Sequence, residues 1–230
     1  AREAGFGNLS LDLLYGLPGQ TAEGWSRTLE GALALGPEHV SVYALTLTGA
    51  KRLPGPPLPS EEIQAAMAAC AMDRLEAAGI RQYEISNFAR PGFESRHNLA
   101  YWTFQPYLGL GVGAHSYLPP RRFSNVAQTP EYVSRVLAGK SPQGFEEVLK
   151  PEQEILERIF LGLRLTKGLA GACLPPEAGN EMKSLIGEGL AVRRRGRYAL
   201  TPKGRVVADA VTARLVRTLP ESKQIAATGA

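Results

Sequence analysis

The stretch Ser95-Arg96-His97-Asn98-Leu99-Ala100-Tyr101-Trp102 gathers an imidazole, an amide, a phenol and an indole in one short length of chain. It holds one of three histidines and one of two tryptophans. A ring nitrogen of imidazole ligates iron. Tyr and Trp offer broad apolar faces with a polar tip. Together these groups suit a flat aromatic ligand with a metal at its centre. Packing is the alternative, with the imidazole held by backbone hydrogen bonds among its aromatic neighbours.

Other residues carry chemistry of their own. Asp12 falls mid-strand among leucines, where burying a lone carboxylate is costly. It either faces a ligand beside Ser10 or joins a structural ion pair. His115 closes a run in which Gly109, Gly111 and Gly113 alternate with apolar residues. Such a strand lets a ligand or another backbone approach closely, and its end is a place where α/β folds bind ligands. A packed core histidine is the competing reading. His39, at a helix exit, reads as structural. Glu84, Asn87 and Arg96 bracket the aromatic stretch. They can anchor carboxylates, orient His97 or satisfy loop backbone groups. The run Arg193-Arg194-Arg195-Gly196-Arg197 can touch phosphates or form a solvated turn.

Positioning these groups falls to a series of elements. Asn8–Tyr15 reads as a strand, with Leu9, Leu11 and Leu13 on one side and Ser10, Asp12 and Leu14 on the other. Thr21 caps a helix from Ala22 to about Leu35. Val40–Leu47 is a second strand, parallel to the first because strand, helix and strand form one βαβ unit. Gly49–Pro59 is a long loop. Ser60 caps a helix to about Ala78, with Glu61 and Glu62 suiting its positive end. Gln82–Ile85 is a short strand, and Ser86–Trp102 reads as irregular. Tyr107–Tyr117 reads as the glycine-bearing strand, and Pro130–Ala138 as a short helix. Gly139–Lys150 reads as linker. Beyond it come helices over Glu152–Leu165, Leu169–Leu174 and Asn180–Glu188, a hairpin over Leu190–Leu200 and a last helix over Pro202–Leu219. That order is the order of a winged helix. A disordered tail is expected from 220 to 230.

Composition bounds the rest. The chain has 230 residues, 44% hydrophobic and 21% charged, and a net charge of +4. This fits a globular domain with a mild basic excess. It contains no apolar run of membrane-spanning length. Cys70 and Cys173 are its two cysteines. They make no disulfide framework and point to a reducing, cytoplasmic setting. They are also too few for an iron–sulfur cluster, which takes three or four thiolates. The chain starts at Ala1 without Met, inside what reads as a helix end closed by Gly5 and Gly7, and is expected to be truncated there.

Five segments together resemble the oxygen-independent coproporphyrinogen III oxidase-like radical SAM family. They are Leu11–Thr21 (LDLLYGLPGQT), Val40–Thr46 (VSVYALT), Tyr83–Gly92 (YEISNFARPG), His97–Trp102 (HNLAYW) and Tyr107–Ser116 (YLGLGVGAHS). The His-Asn-x-x-Tyr-Trp signature resembles the haem chaperone branch. The resemblance implies an α/β fold: the C-terminal part of a partial (β/α)6 barrel with an aromatic extension over 1–125, a linker with a short helix over 126–150, and a small winged-helix-like domain over 151–219. It implies haem binding by His97, with Asn98, Tyr101 and Trp102 shaping the site. It implies delivery of haem to haem-dependent respiratory enzymes, and leaves room for a homodimer and for peripheral contact with a membrane. Contact with S-adenosylmethionine falls to Asp12, with Thr46 and His115 nearby. The family's Cys-x3-Cys-x2-Cys motif and glycine-rich loop are missing, so this chain is not expected to hold the [4Fe–4S] cluster or to be catalytically active alone. The alternatives are a coproporphyrinogen III oxidase of porphyrin biosynthesis and, lower in rank, a winged-helix nucleic-acid module; nucleic acid is not an expected partner.

Overall fold

The computed structural model describes residues 1–47 and 55–220. A 3-10 turn at Arg2–Ala4 ends at Gly5, whose φ of 87° and N–H bond to the Arg2 carbonyl bear out the expected helix stop. β1 (Ser10–Tyr15), α1 (Ala22–Ala34) and β2 (His39–Ala44) follow. The Thr21 hydroxyl accepts from Gly24 N–H at 3.1 Å and caps α1. β1 and β2 pair in parallel from Ser10 with His39 to Tyr15 with Ala44, as the βαβ reading requires. After α2 (Glu61–Ala77), capped by Ser60, come β3 (Arg81–Gln82) and β4 (Asn87–Ala89). The sheet order is β1-β2-β4-β3, with β4 antiparallel to both neighbours. This leaves β1 as an edge strand, and of the expected loop residues 49–54 lie outside the described residues.

The two faces of this sheet differ. Val40, Val42 and Phe88 pack with Trp25, Leu29 and Leu75 of the covering helices. Each such side chain contributes about 1.5–3 kcal/mol on full burial. Trp25 also donates its indole N–H to the Met67 carbonyl at 2.8 Å, tying α1 to α2. Because side chains alternate along a strand, the register sends Ser10, Asp12, His39 and Ser41 to the opposite, polar face.

Next comes α3 (Arg96–Trp102), a helix where an irregular segment was expected. At 7 residues it is about two turns long, too short for periodicity to reveal. The Ser95 hydroxyl accepts from Asn98 N–H at 3.2 Å and starts it. The expected glycine strand is mostly loop. Gly111 and Gly113 adopt φ of 106° and 65°, which strands do not use. Gly109 lies against its own chain, where a Cβ would come 2.1 Å from the His115 carbonyl oxygen. The close approach foreseen for these glycines is thus backbone on backbone. His115 does not end a strand; it opens β5 (His115–Leu118). β6 (Arg121–Asn125), α4 (Thr129–Leu137) and β7 (Gln143–Val148) follow. The stretch 139–150, expected as linker, holds β7, which pairs with β6 in a second antiparallel sheet of order β5-β6-β7.

The remainder is α5 (Pro151–Arg164), β8 (Leu169–Ala170), α6 (Gly179–Gly187), β9 (Ala191–Arg194), β10 (Arg197–Leu200), α7 (Pro202–Val206) and α8 (Ala208–Arg217). Leu169–Leu174 is a strand and a 3-10 turn, not the helix expected. The reason is at Gly168, whose backbone packs against Tyr198 and leads β8 onto β10. The last helix is interrupted at Val207. The hairpin is present, its turn built on Arg195 and Gly196 at φ of 48° and 74°. Ile159, Leu163, Met182, Leu185, Val211 and Leu215 fill this second core. Residues 221–230, nearly all of the expected tail, lie outside the described residues.

Candidate functional site

Residues three and four apart share a helix face, so α3 carries two pairs, His97 with Tyr101 and Asn98 with Trp102, on adjoining faces about 100° apart. His97 and Tyr101 form one pair, with ring centroids 4.7 Å apart and planes at 77°. His97 is exposed, and its ring nitrogens have no hydrogen-bond partner among the described residues. Tyr101 then meets the edge of Tyr107 at 4.5 Å. Tyr107 contacts Tyr117, and Tyr117 contacts Phe104, under which Arg158 of α5 stacks at 4.6 Å. Burial raises the pKa of both Tyr107 and Tyr117, so both phenols stay neutral. Beyond Tyr107 the loop exposes Leu108, Leu110 and Val112.

Asn98 and Trp102 lie on the adjoining face. Burial raises the Tyr83 pKa, and the Asn98 side chain opposes that rise. Arg164 of α5 lies 4.5 Å over the Trp102 ring. That guanidinium also pairs at 3.4 Å with Glu84, which is fully buried. The second Glu84 oxygen accepts from Asn87 Nδ2 at 2.6 Å and from Ser86 N–H at 2.8 Å. Tyr83 and Thr166 share two further bonds, through the Thr166 N–H and hydroxyl to the Tyr83 carbonyl. Residues 83–87 therefore clamp the first sheet to the end of α5. Glu84 and Asn87, expected near the site, are the centre of this clamp, and Arg96 is exposed at the start of α3.

The polar face of the sheet adjoins the clamp. Ser10 Oγ is 2.8 Å from His39 Nδ1, and His39 Nε2 is 2.9 Å from the Tyr83 hydroxyl. Burial pushes the His39 pKa down, against the opposing charges of Asp12 and Glu84. Asp12 is exposed on this face, with no hydrogen bond or ion pair to its carboxylate among the described residues. Thr46, exposed just past β2, borders a cavity of about 450 Å³ together with Tyr43, Ala44 and Arg205. His115 stands on the second sheet, exposed. Asp12 and Thr46 thus belong to paired strands of the first sheet and the chain just past them, whereas His115 belongs to the second sheet. Cys70 lies in α2 and Cys173 in a 3-10 turn beside the other core. Among the described residues no group of three His, Cys, Asp or Glu side chains is placed to hold a metal ion.

Several contributors escaped the sequence reading: Tyr83, Phe104, Arg158 and Arg164, and His39, which was taken as structural only. The parity of Ser10 and Asp12 with His39 and Ser41 across parallel strands was a usable signal. Nothing local marks Arg158 or Arg164, which come from a distant helix. In the basic hairpin, Arg197 donates to the Lys167 and Gly168 carbonyls and Arg193 stacks on Tyr198. That occupies donors a phosphate would need, while the charge of the turn remains.

No family model matches the chain. It is 37% identical to the haem chaperone HemW of Bacillus subtilis over 92% of its own length and 59% of that protein's. It is also 37% identical to HemW of Mycobacterium tuberculosis strain H37Rv, covering 94% of this chain and 56% of the other. The mitochondrial radical S-adenosyl methionine domain-containing protein 1 of Bos taurus is 32% identical, covering 95% and 55%. The chain spans somewhat more than half of each of these relatives. Among solved structures, coproporphyrinogen III oxidase (HemN) of Escherichia coli, a radical SAM enzyme, superposes with a TM-score of 0.71 over 93% of this chain and 56% of its own, at 21% identity. The two share a fold.

Proposed function

The chain belongs to the haem chaperone branch of the oxygen-independent coproporphyrinogen III oxidase-like radical SAM family, and from that premise we propose that it carries the haem-contacting part of a protein that binds haem and hands it to haem-dependent respiratory enzymes. The observation that supports this most is the outward face of α3. An imidazole with both nitrogens unengaged stands exposed beside an edge-on phenol, at the start of an aromatic row. Haem asks for a nitrogen ligand to iron and apolar surface for the macrocycle. His97 supplies the first, and Tyr101 with the exposed Leu108, Leu110 and Val112 supplies the second. Asn98 and Trp102 shape the site from behind by seating the helix. On this reading the two antiparallel and parallel parts of the N-terminal sheet are the end of a partial barrel, and residues 151–219 a winged-helix-like domain.

The cofactors divide. The two cysteines of this chain, on separate cores, do not fit a [4Fe–4S] cluster, and no step is assigned to one. The exposed carboxylate of Asp12 does fit a contact to S-adenosylmethionine, whose hydroxyls and ammonium are donors. In the full-length parent, Asp12→Asn is expected to weaken S-adenosylmethionine binding and leave haem binding alone.

The test is a haem titration of this chain followed by absorbance. Saturable binding with a Soret band that shifts in His97→Ala is expected. No saturable binding by a chain that circular dichroism shows to be folded overturns the reading.

A further inference from the structure

We propose that the cleft between α2 and the β9–β10 hairpin binds the phosphate group of a small molecule, its oxygens held by Lys167, Arg194 and Arg205. The proposal does not rest on the haem reading of α3.

Three adjoining cavities open along this cleft, and Arg205 of α7 lines all of them. The smallest, of about 140 Å³, is walled by four cations. They are Lys167 ahead of β8, Arg194 and Arg197 from the two strands of the hairpin, and Arg205. No carboxylate of the described residues lines it. Elsewhere the chain neutralises its arginines locally: Arg121, Arg122 and Arg214 each pair with a glutamate. Among the described residues none of the four cations of this pocket forms an ion pair. Asp73 and Glu76 of α2 line the neighbouring cavity of about 420 Å³. Burial lowers the Arg205 pKa, and the charge of Glu76 opposes this without cancelling it. Like charges gathered without counter-charge destabilise a fold, and an incoming anion offsets that cost.

The donors divide cleanly. Thr166 and Thr201 commit their hydroxyls to backbone carbonyls. Arg197 commits Nε and Nη2 to the Lys167 and Gly168 carbonyls, which stiffens the wall of the pocket. Arg205 donates Nη1 to the Leu200 carbonyl at 3.1 Å, which fixes its guanidinium. Its Nε is buried and has no hydrogen-bond partner among the described residues. Leaving such a donor unmade is costly, and an oxyanion in the pocket supplies the missing acceptor. Lys167 and Arg194 stand exposed at the mouth.

The kind of anion follows from charge and size. A carboxylate brings one charge and two oxygens. A phosphate group brings nearly two charges and three acceptor oxygens, enough to engage three cations from different elements, with Arg presenting forked donors. A pocket of about 140 Å³ takes a phosphate group and little more. The neighbouring cavity shares Arg194, Pro202 and Arg205 with it and adds the apolar Ala69 and Met72 of α2, so it has room for an organic remainder. A concave site with a partly apolar annex suits a small phosphorylated molecule better than the backbone of a nucleic acid.

The experiment is a calorimetric titration of this chain with inorganic phosphate and with adenosine monophosphate, in chloride of matched ionic strength, with circular dichroism on every protein used. Saturable one-to-one binding of both is expected. Arg194→Gln and Lys167→Gln, both changes at exposed side chains, should each weaken it about tenfold, the scale of losing a charge-assisted hydrogen bond. Arg195→Gln, at the turn of the same hairpin and outside the pocket, should change it by no more than about twofold, the scale of a screened surface charge. Acetate should bind far more weakly than phosphate. No saturable binding of either probe by the folded wild type overturns the proposal. So does a loss in Arg195→Gln equal to that in Arg194→Gln, which would mean a diffuse basic surface. Acetate binding as tightly as phosphate, or duplex DNA binding more tightly than adenosine monophosphate, overturns the assignment to a small phosphorylated molecule.

Discussion

The two faces of α3 use the same kinds of residue for opposite ends. Outward, His97 and Tyr101 touch each other and leave the imidazole open. Inward, Trp102 is taken up by the Arg164 guanidinium, and Asn98 acts on the buried phenol of Tyr83. A helix this short has no stability of its own. Its inward face must be over-determined for its outward face to stay free. The His-Asn-x-x-Tyr-Trp pattern is thus two pairs at i, i+4 spacing, one that offers chemistry and one that holds it in place.

Substitutions on the inner side should have the largest effects. Arg164→Met strands the buried Glu84 carboxylate and uncovers Trp102, and should cost about 3 kcal/mol in thermal unfolding. Trp102→Ala should cost about 2 kcal/mol, below the value for a fully buried tryptophan because the ring is only half-buried. Tyr101→Ala, on the outer side, removes ring contacts worth about 1 kcal/mol, yet should weaken haem binding more than Trp102→Ala does at matched folded fraction. If the inner changes proved harmless to folding, the division between the faces would collapse.

A smaller effect belongs to His39. His39 ordinarily titrates at 6.5, and burial lowers that value here despite Asp12 and Glu84. A histidine held neutral contributes stability fully above its unfolded value and loses it as pH falls below. The melting temperature should therefore drop as pH falls below about 6.5 in the wild type, and less in His39→Gln. A wild-type curve that rises over that range would mean the imidazolium is the favoured form.

Much of this architecture was written locally. Thr21 and Ser60 cap the helices they were expected to cap, and Leu11 and Leu13 against Ser10 and Asp12 told the two faces of β1 apart. What stayed illegible depended on distant partners or on backbone geometry. The Gly109–Gly113 run alternates like a strand, but only tertiary contact shows that it folds back onto His115. Gln143–Val148 lacks a strongly apolar alternation and becomes a strand because β6 offers an edge. In the site, His97 stood out by type, whereas its support from Arg164 arrives from a position far away in sequence. Function was read from type and spacing, and the positioning from the fold.

The account turns on which residue of the adjacent pair faces the ligand. One haem titration, with absorbance and a thermal melt on the same samples, should compare His97→Ala with Asn98→Ala. The prediction is a changed or lost Soret signature with an unchanged melting temperature in His97→Ala, and a kept signature with a lowered melting temperature in Asn98→Ala. The reverse assignment, with the signature lost in Asn98→Ala and the melt lowered in His97→Ala, would contradict it.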